Sequence, residues 1–131
     1  MKIKFLSLFF VFVVIFALSV ELKADPILEV ITSVSFTGNS QLVNGCPQVQ
    51  VKIEWKQTPA YHCWSTLYKK AGSGSWNSLG NFGCYSNNGY WSYFREYDWV
   101  WKNGTTYYYS TLASFPTSVS ITTQYGMCEQ Y

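Results

Sequence analysis

Catalysis needs groups that change charge or attack, and this sequence holds few of them. His62 is its only imidazole. It sits in a loop beside Cys63, and no nucleophile and carboxylate are visibly tied to it in the manner of a catalytic triad. Glu96 and Asp98 offer the paired carboxylates that glycoside hydrolysis uses, and on one strand they would lie about 7 Å apart at the backbone, on one face. Two acids at that spacing also describe a charged outward strand face, which is the reading adopted. The sequence therefore predicts no enzyme, no catalytic residue and no cofactor.

Four thiols remain: Cys46, Cys63, Cys84 and Cys128. A zinc site is disfavoured because no CxxC pair occurs and only one histidine is present. An even cysteine count in an exported chain reads instead as two disulfides. Three pairings are open from sequence alone.

Export is itself a prediction. Lys2 and Lys4 precede an apolar run from Phe5 to Val20. At about 16 residues it falls short of the roughly 20 that a membrane helix needs. Residues 1–24 are expected to be the helix of a secretory signal peptide, cleaved after Ala24. An uncleaved membrane anchor is the alternative. Residues 25–131 then form one secreted, extracellular domain. Removing Lys2, Lys4, Lys23 and Glu21 leaves six basic and six acidic residues. A neutral surface without a basic cluster gives phosphates little to bind, which excludes nucleic acid as a partner.

The elements that carry these residues are strands. VQVKIEW, residues 49–55, alternates with Val49, Val51, Ile53 and Trp55 toward a core and Gln50, Lys52 and Glu54 toward solvent. ILEVITSVSF (27–36) comes before it, with TGNS (37–40) and NGCP (44–47) as breakers. CWSTLYKK (63–70), the turn AGSGS and WNSLG (76–80) read as a hairpin. The loop NFGCYSNNG (81–89) leads to YWSYFREY (90–97). KNG (102–104) then turns the chain into TTYYYSTLA, and SFPT (114–117) precedes the last strand, SVSITTQYG. Seven strands and no helix after the signal predict an all-β antiparallel sandwich. One residue in five is aromatic, as suits a small domain that must fill a gap of about 10 Å between sheets.

Several of these stretches resemble fibronectin type III domains. VKIEW is similar to the family's second strand, with Trp55 as the buried tryptophan. WSTLYKKAGSGSW resembles strands three and four, with Tyr68 and Trp76 at aromatic places. WKNGTTYYYSTLA resembles the turn into strand six, with Trp101 at the usual leucine place and Asn103 at that of a common proline. The resemblance makes Tyr107 the corner tyrosine, whose hydroxyl bonds back across the turn. Tyr109 shares its face in the core, and Tyr108 points outward. The four cysteines and the long aromatic segment from Phe82 to Asp98 depart from the family pattern.

The family's topology carries two further expectations. It puts Cys46 and Cys128 at one pole and Cys63 and Cys84 at the other, which pairs them in that way. It also gathers the loops 57–62, 81–89 and 114–117 at one pole, with Tyr61, His62, Phe82, Tyr85 and Phe115. Aromatics among Asn, Ser and Gly are what protein-recognition loops favour. The expected function is noncatalytic recognition or adhesion to an extracellular protein through those loops. A carbohydrate-binding module that stacks sugars on outward rings of Tyr90, Trp91, Tyr93 or Trp99 is the alternative, and a structural extracellular component is the third. Asn103-Gly104-Thr105 is a sequon, a glycosylation site if the host glycosylates and otherwise a good turn.

Overall fold

The computed structural model describes residues 27–111 and 117–128. The expected signal peptide, Phe115 and the last three residues lie outside the described residues. The elements are β1 (Leu28–Val43), β2 (Cys46–Thr58), β3 (Trp64–Ala71), β4 (Asn77–Gly83), β5 (Ser86–Asn87), β6 (Ser92–Trp101), β7 (Thr106–Thr111) and β8 (Val119–Thr122). They form two antiparallel four-stranded sheets, ordered β1, β2, β6, β5 and β4, β3, β7, β8. The all-β, two-layer expectation holds.

The strand count is eight among the described residues, not seven. The added strand is β5, inside the stretch read as a loop from 81 to 89. Ser86 and Asn87 find partners in Tyr93 and Ser92 because the chain folds straight back on itself. Asn88 makes that return tight, accepting the Tyr90 and Trp91 amides at 3.0 and 2.7 Å on its side-chain oxygen. The same stretch also loses Asn81–Gly83 to the end of β4.

A second correction concerns the breakers after residue 36. Thr37–Ser40 does not end the first strand but is absorbed as an irregularity in the register between Phe36 and Ser40. The reversal comes at Asn44 and Gly45, with φ of 52° and 77°. Two successive positive φ values make the two-residue turn that matches strand twist, and Asn-Gly is the pair that tolerates it. Val43 then faces Cys46 directly.

Alternation on β2 sends Val51, Ile53, Trp55 and Gln57 inward. They meet Phe94 and Val100 from β6, Leu67 from β3, and Tyr107 and Tyr109 from β7. Trp55 stacks on Phe94 with centroids 5.2 Å apart and planes 6° from parallel, and Phe82 meets it edge-on at 6.3 Å. A ring of this kind removes about 150–250 Å² from water, worth about 4–6 kcal/mol before entropy is counted. Its polar edge then needs a partner. The Trp55 indole N–H donates to Ser65 Oγ at 2.9 Å, and that hydroxyl donates to Glu29 Oε2 at 3.0 Å. The chain of bonds crosses from β2 to β3 and back to β1.

A second clamp joins the sheets lower down. Asp98 on β6 accepts the Tyr109 hydroxyl at 2.7 Å and pairs with Lys69 on β3 at 2.7 Å. Burial, with the Asp98 charge second, pushes the Tyr109 phenol far above its ordinary range. Its proton stays in place at any pH the protein meets. Tyr107 makes the corner bond: the Trp101 amide donates to its oxygen at 3.0 Å, and its hydroxyl donates to the Trp101 carbonyl at 3.3 Å.

Disulfides join Cys46 to Cys128 and Cys63 to Cys84, spanning 82 and 21 residues. The first fastens the chain end to the start of β2. Gly126 lies beside it because a Cβ there would come within 2.9 Å of the Pro47 ring.

Tyr107→Phe removes the corner bond while keeping the ring. Its expected cost is about 1–2 kcal/mol in the urea-unfolding free energy; an unchanged midpoint would show that the corner contributes nothing.

Candidate functional site

β2 ends, and β3 and β6 begin, at one pole of the sandwich, here the upper pole. β4 and β7 end there too, opposite the start of β3. The loops 57–62 and 81–89 meet at this pole; the third expected loop, 114–117, lies outside the described residues except for Thr117. Two loops facing each other leave an open groove of about 690 Å³, lined by Thr58, Pro59, Ala60, Tyr61, Asn87, Gly89 and Tyr90. Tyr61 and Tyr90 border it with 70% and 65% of their surface in water.

The groove has a stiff frame. Ala60 is buried, and its carbonyl accepts from both the Asn87 side-chain Nδ2 and the Ser92 hydroxyl. Thr58 Oγ1 donates to the Tyr90 carbonyl at 2.8 Å, and Gln57 donates its side-chain amide to the His62 carbonyl. Asn87 accepts the Gly89 amide at 2.7 Å and Asn88 donates to the Tyr93 hydroxyl at 3.2 Å. The Cys63–Cys84 disulfide ties the end of one loop to the other, with the Cys84 backbone amide bonded to the Cys63 carbonyl at 3.0 Å. Asparagine side chains that look adhesive in the sequence are thus spent holding backbone.

The candidate residues divide. Tyr61, His62, Tyr90 and Trp91 come together, with Tyr61 tilted over His62 at 4.5 Å and Tyr90 edge-on to Trp91 at 5.4 Å. Tyr85 is exposed on the outer side of the first sheet, where Arg95 lies 4.6 Å over its ring. Phe82 is half-buried against Trp55 and belongs to the core packing. Trp64 is a ring that sequence reasoning missed. It is 66% exposed at the start of β3, and its alternation with buried Ser65 and Leu67 is the signal that puts it outside.

The outward row of β6 is also aromatic: Tyr93, Tyr97, Trp99 and Trp101 alternate with inward Phe94, Glu96, Asp98 and Val100. Trp91 continues this row toward the pole, and Lys56 sits 4.3 Å over its ring. Tyr108 on the other sheet is half-buried with Lys70 at 4.7 Å. Asn103 is exposed in its turn at the lower pole and accepts the Thr105 amide at 3.2 Å.

Glu96 and Asp98 correct the sequence reading, because they face inward rather than outward. The bulky aromatics of β6 take the solvent face, which leaves its charged positions toward the other sheet. Asp98 is held by Lys69 and Tyr109. Burial pushes the Glu96 carboxyl above its ordinary range, only partly offset by a bond from the Tyr97 backbone. His62 stands at the upper pole, several residues up the sheet from both. Among the described residues no group of three or more His, Cys, Asp or Glu could hold a metal.

A carboxyl whose folded pKa is raised favours folding below its unfolded pKa, and that contribution is lost as pH rises through the folded value. Glu96→Gln is therefore expected to raise the urea midpoint at pH 7 in dilute solution, with the gain gone near pH 4. A midpoint that falls at pH 7 would contradict this assignment. In comparisons with known proteins, no protein-family model, curated protein or solved structure matches this chain.

Proposed function

We propose that this chain is a secreted, noncatalytic recognition module, fibronectin type III-like in plan, that binds an extracellular protein through its upper pole. The observation that carries the reading is the pair of exposed tyrosines, Tyr61 and Tyr90, bordering a groove whose backbone is already bonded in place. Tyrosine offers a large, amphipathic contact with few rotatable bonds, and fixed loops spare the ordering entropy of binding. The rim from Tyr85 to Tyr93 is built of Tyr, Ser, Asn, Gly and Trp alone, the composition of adaptable protein-recognition loops. Two disulfides accord with an oxidising, extracellular setting. The strand order β4, β3, β7, β8 against β1, β2, β6 supports the family resemblance.

Glycan binding is the second reading, favoured by the outward rings of β6. It is weaker because a sugar needs open ring faces. Lys56 covers Trp91 and Arg95 covers Tyr85. Glycosylation of Asn103 would place a sugar at the pole away from the groove and leave recognition there unobstructed.

The test immobilises the secreted chain and presents two ligand sets, the proteins of its extracellular fluid and an array of polysaccharides. A protein retained by the wild type and by Tyr97→Ala, but released at least about tenfold more readily by Tyr61→Ala/Tyr90→Ala, is the expected result. Retention of polysaccharide that depends on Tyr97, or protein retention indifferent to both tyrosines, would overturn the proposal.

A further inference from the structure

Trp101 and Tyr125 stand in water at the lower pole, beside the turn between β6 and β7. They are 40% and 73% exposed. Together with Lys102, Asn103 and the Cys46–Cys128 disulfide they border an open hollow of about 280 Å³. Sites for drug-sized ligands measure roughly 300–1,000 Å³, so this one suits a single sugar ring. Its floor is fixed by backbone bonds. The Lys102 amide donates to the Pro47 carbonyl at 3.0 Å, the Gly126 amide donates to the Lys102 carbonyl at 2.7 Å, and Asn103 bridges to Tyr125.

The same hollow holds the asparagine of the sequon Asn103-Gly104-Thr105. Its side-chain oxygen accepts the Thr105 amide at 3.2 Å. Nδ2, the atom that carries a glycan, makes no hydrogen bond among the described residues. Gly104 has a φ of 79°, and a Cβ there would meet nothing within 4 Å, so no neighbouring chain crowds the attachment. Trp101 lies at most roughly 7 Å away along the backbone. Lys56 and Arg95 cover Trp91 and Tyr85, whereas among the described residues no cation sits over Trp101 or Tyr125. We propose that Asn103 carries an N-linked glycan and that its first N-acetylglucosamine lies in this hollow, with one C–H face on the Trp101 ring.

The attachment balances as a displacement at C1 of an oligosaccharide borne on a polyprenyl diphosphate. The Nδ2–C1 bond forms and the C1–O bond breaks. One proton passes from Nδ2 to a base of the transferase, and the diphosphate leaves with the electron pair. Donor and transferase belong to the secretory route, so the inference rests on the export half of the proposed function. Once attached, the sugar's C–H groups meet the negative face of the indole and remove ring area from water, while its hydroxyls stay in solvent. The exposed rings of the lower pole thereby gain a partner within the same molecule, and the groove of the upper pole stays open.

The experiment expresses the full chain in eukaryotic secretory cells held at high-mannose glycans and isolates it separately from cells and medium. Intact mass is expected to show one glycan, lost in Asn103→Gln. An endoglycosidase that leaves one N-acetylglucosamine should leave the urea midpoint unchanged, and complete removal should lower it. Trp101→Leu, with a native near-ultraviolet circular dichroism spectrum, should not show that drop. In the wild type, protons of the first sugar should resonate upfield of those in the same glycan on an unfolded peptide, because they lie over a ring; this readout needs no variant. A chain without a glycan overturns the proposal, and when found in the medium it does so with secretion upheld. A glycan on Asn103 of a chain that stays in the cells supports the proposal and counts against the secreted reading. A first sugar with no upfield shift, or a drop on removal that is equal in Trp101→Leu, also overturns it.

Discussion

The indole of Trp55 lies flat on Phe94 with its nitrogen bonded to Ser65, and most of the molecule is arranged around that placement. A small sandwich has few residues with which to fill the space between its sheets. Large rings fill it, but tryptophan and tyrosine bring polar edges that must be satisfied where water is excluded. The solution is repeated in three places. Trp55 passes its bond through Ser65 to Glu29, Tyr109 reaches Asp98, and Tyr107 bonds both ways with the Trp101 backbone. Each ring thus supplies apolar area and also ties one strand to another. Packing and alignment of the two sheets come from the same side chains.

The functional consequence is at the upper pole. Trp55 and Phe94 sit on the two strands, β2 and β6, whose ends carry the groove. Gln57, one step further along β2 on the same buried face, holds the His62 carbonyl, and Ser92, one step back along β6, holds that of Ala60. Core alternation thus runs directly into loop bonding. What remains for a partner is a set of rings, Tyr61, Trp64 and Tyr90, standing out from fixed backbone. Charge plays little part there, because the lysines and Arg95 near the site are occupied with rings and with Glu54. Arg95 bonds Glu54 at 3.3 Å, and bonds from Lys52 and Arg95 outweigh partial burial to hold the Glu54 carboxyl below its ordinary range.

Much of the fold was legible because strand alternation is a local signal. Val51, Ile53 and Trp55 announce the buried face of β2, and the family resemblance pointed to the corner at Tyr107. The disulfide pairs followed once the strand order was taken from the family resemblance. Two things were not legible. Thr37–Ser40 looks like a break because its residues favour turns, yet a neighbouring strand can absorb them as a bulge. On β6 both faces carry residues of unexpected kind, rings outside and carboxylates inside. Only the partners on the other sheet, Lys69 and Tyr109, make an inward Asp98 acceptable. The site was partly legible for the same reason. Tyr61 was visible as a loop aromatic and Tyr90 as an outward ring at the start of the segment 90–97, whereas the roles of Asn87 and Asn88 depend on carbonyls and amides that no spacing rule identifies.

Pre-organisation of the upper pole is the central claim, and residue-resolved amide hydrogen exchange of the unliganded chain tests it most directly. The amides of Tyr85, Gly89, Tyr90 and Trp91 each donate to a defined acceptor. They are predicted to exchange at least about a hundredfold more slowly than the same residues in an unstructured peptide. Exchange at the unstructured rate, with the amides of β2 and β6 still protected, would mean that the loops order only on binding and would contradict the account.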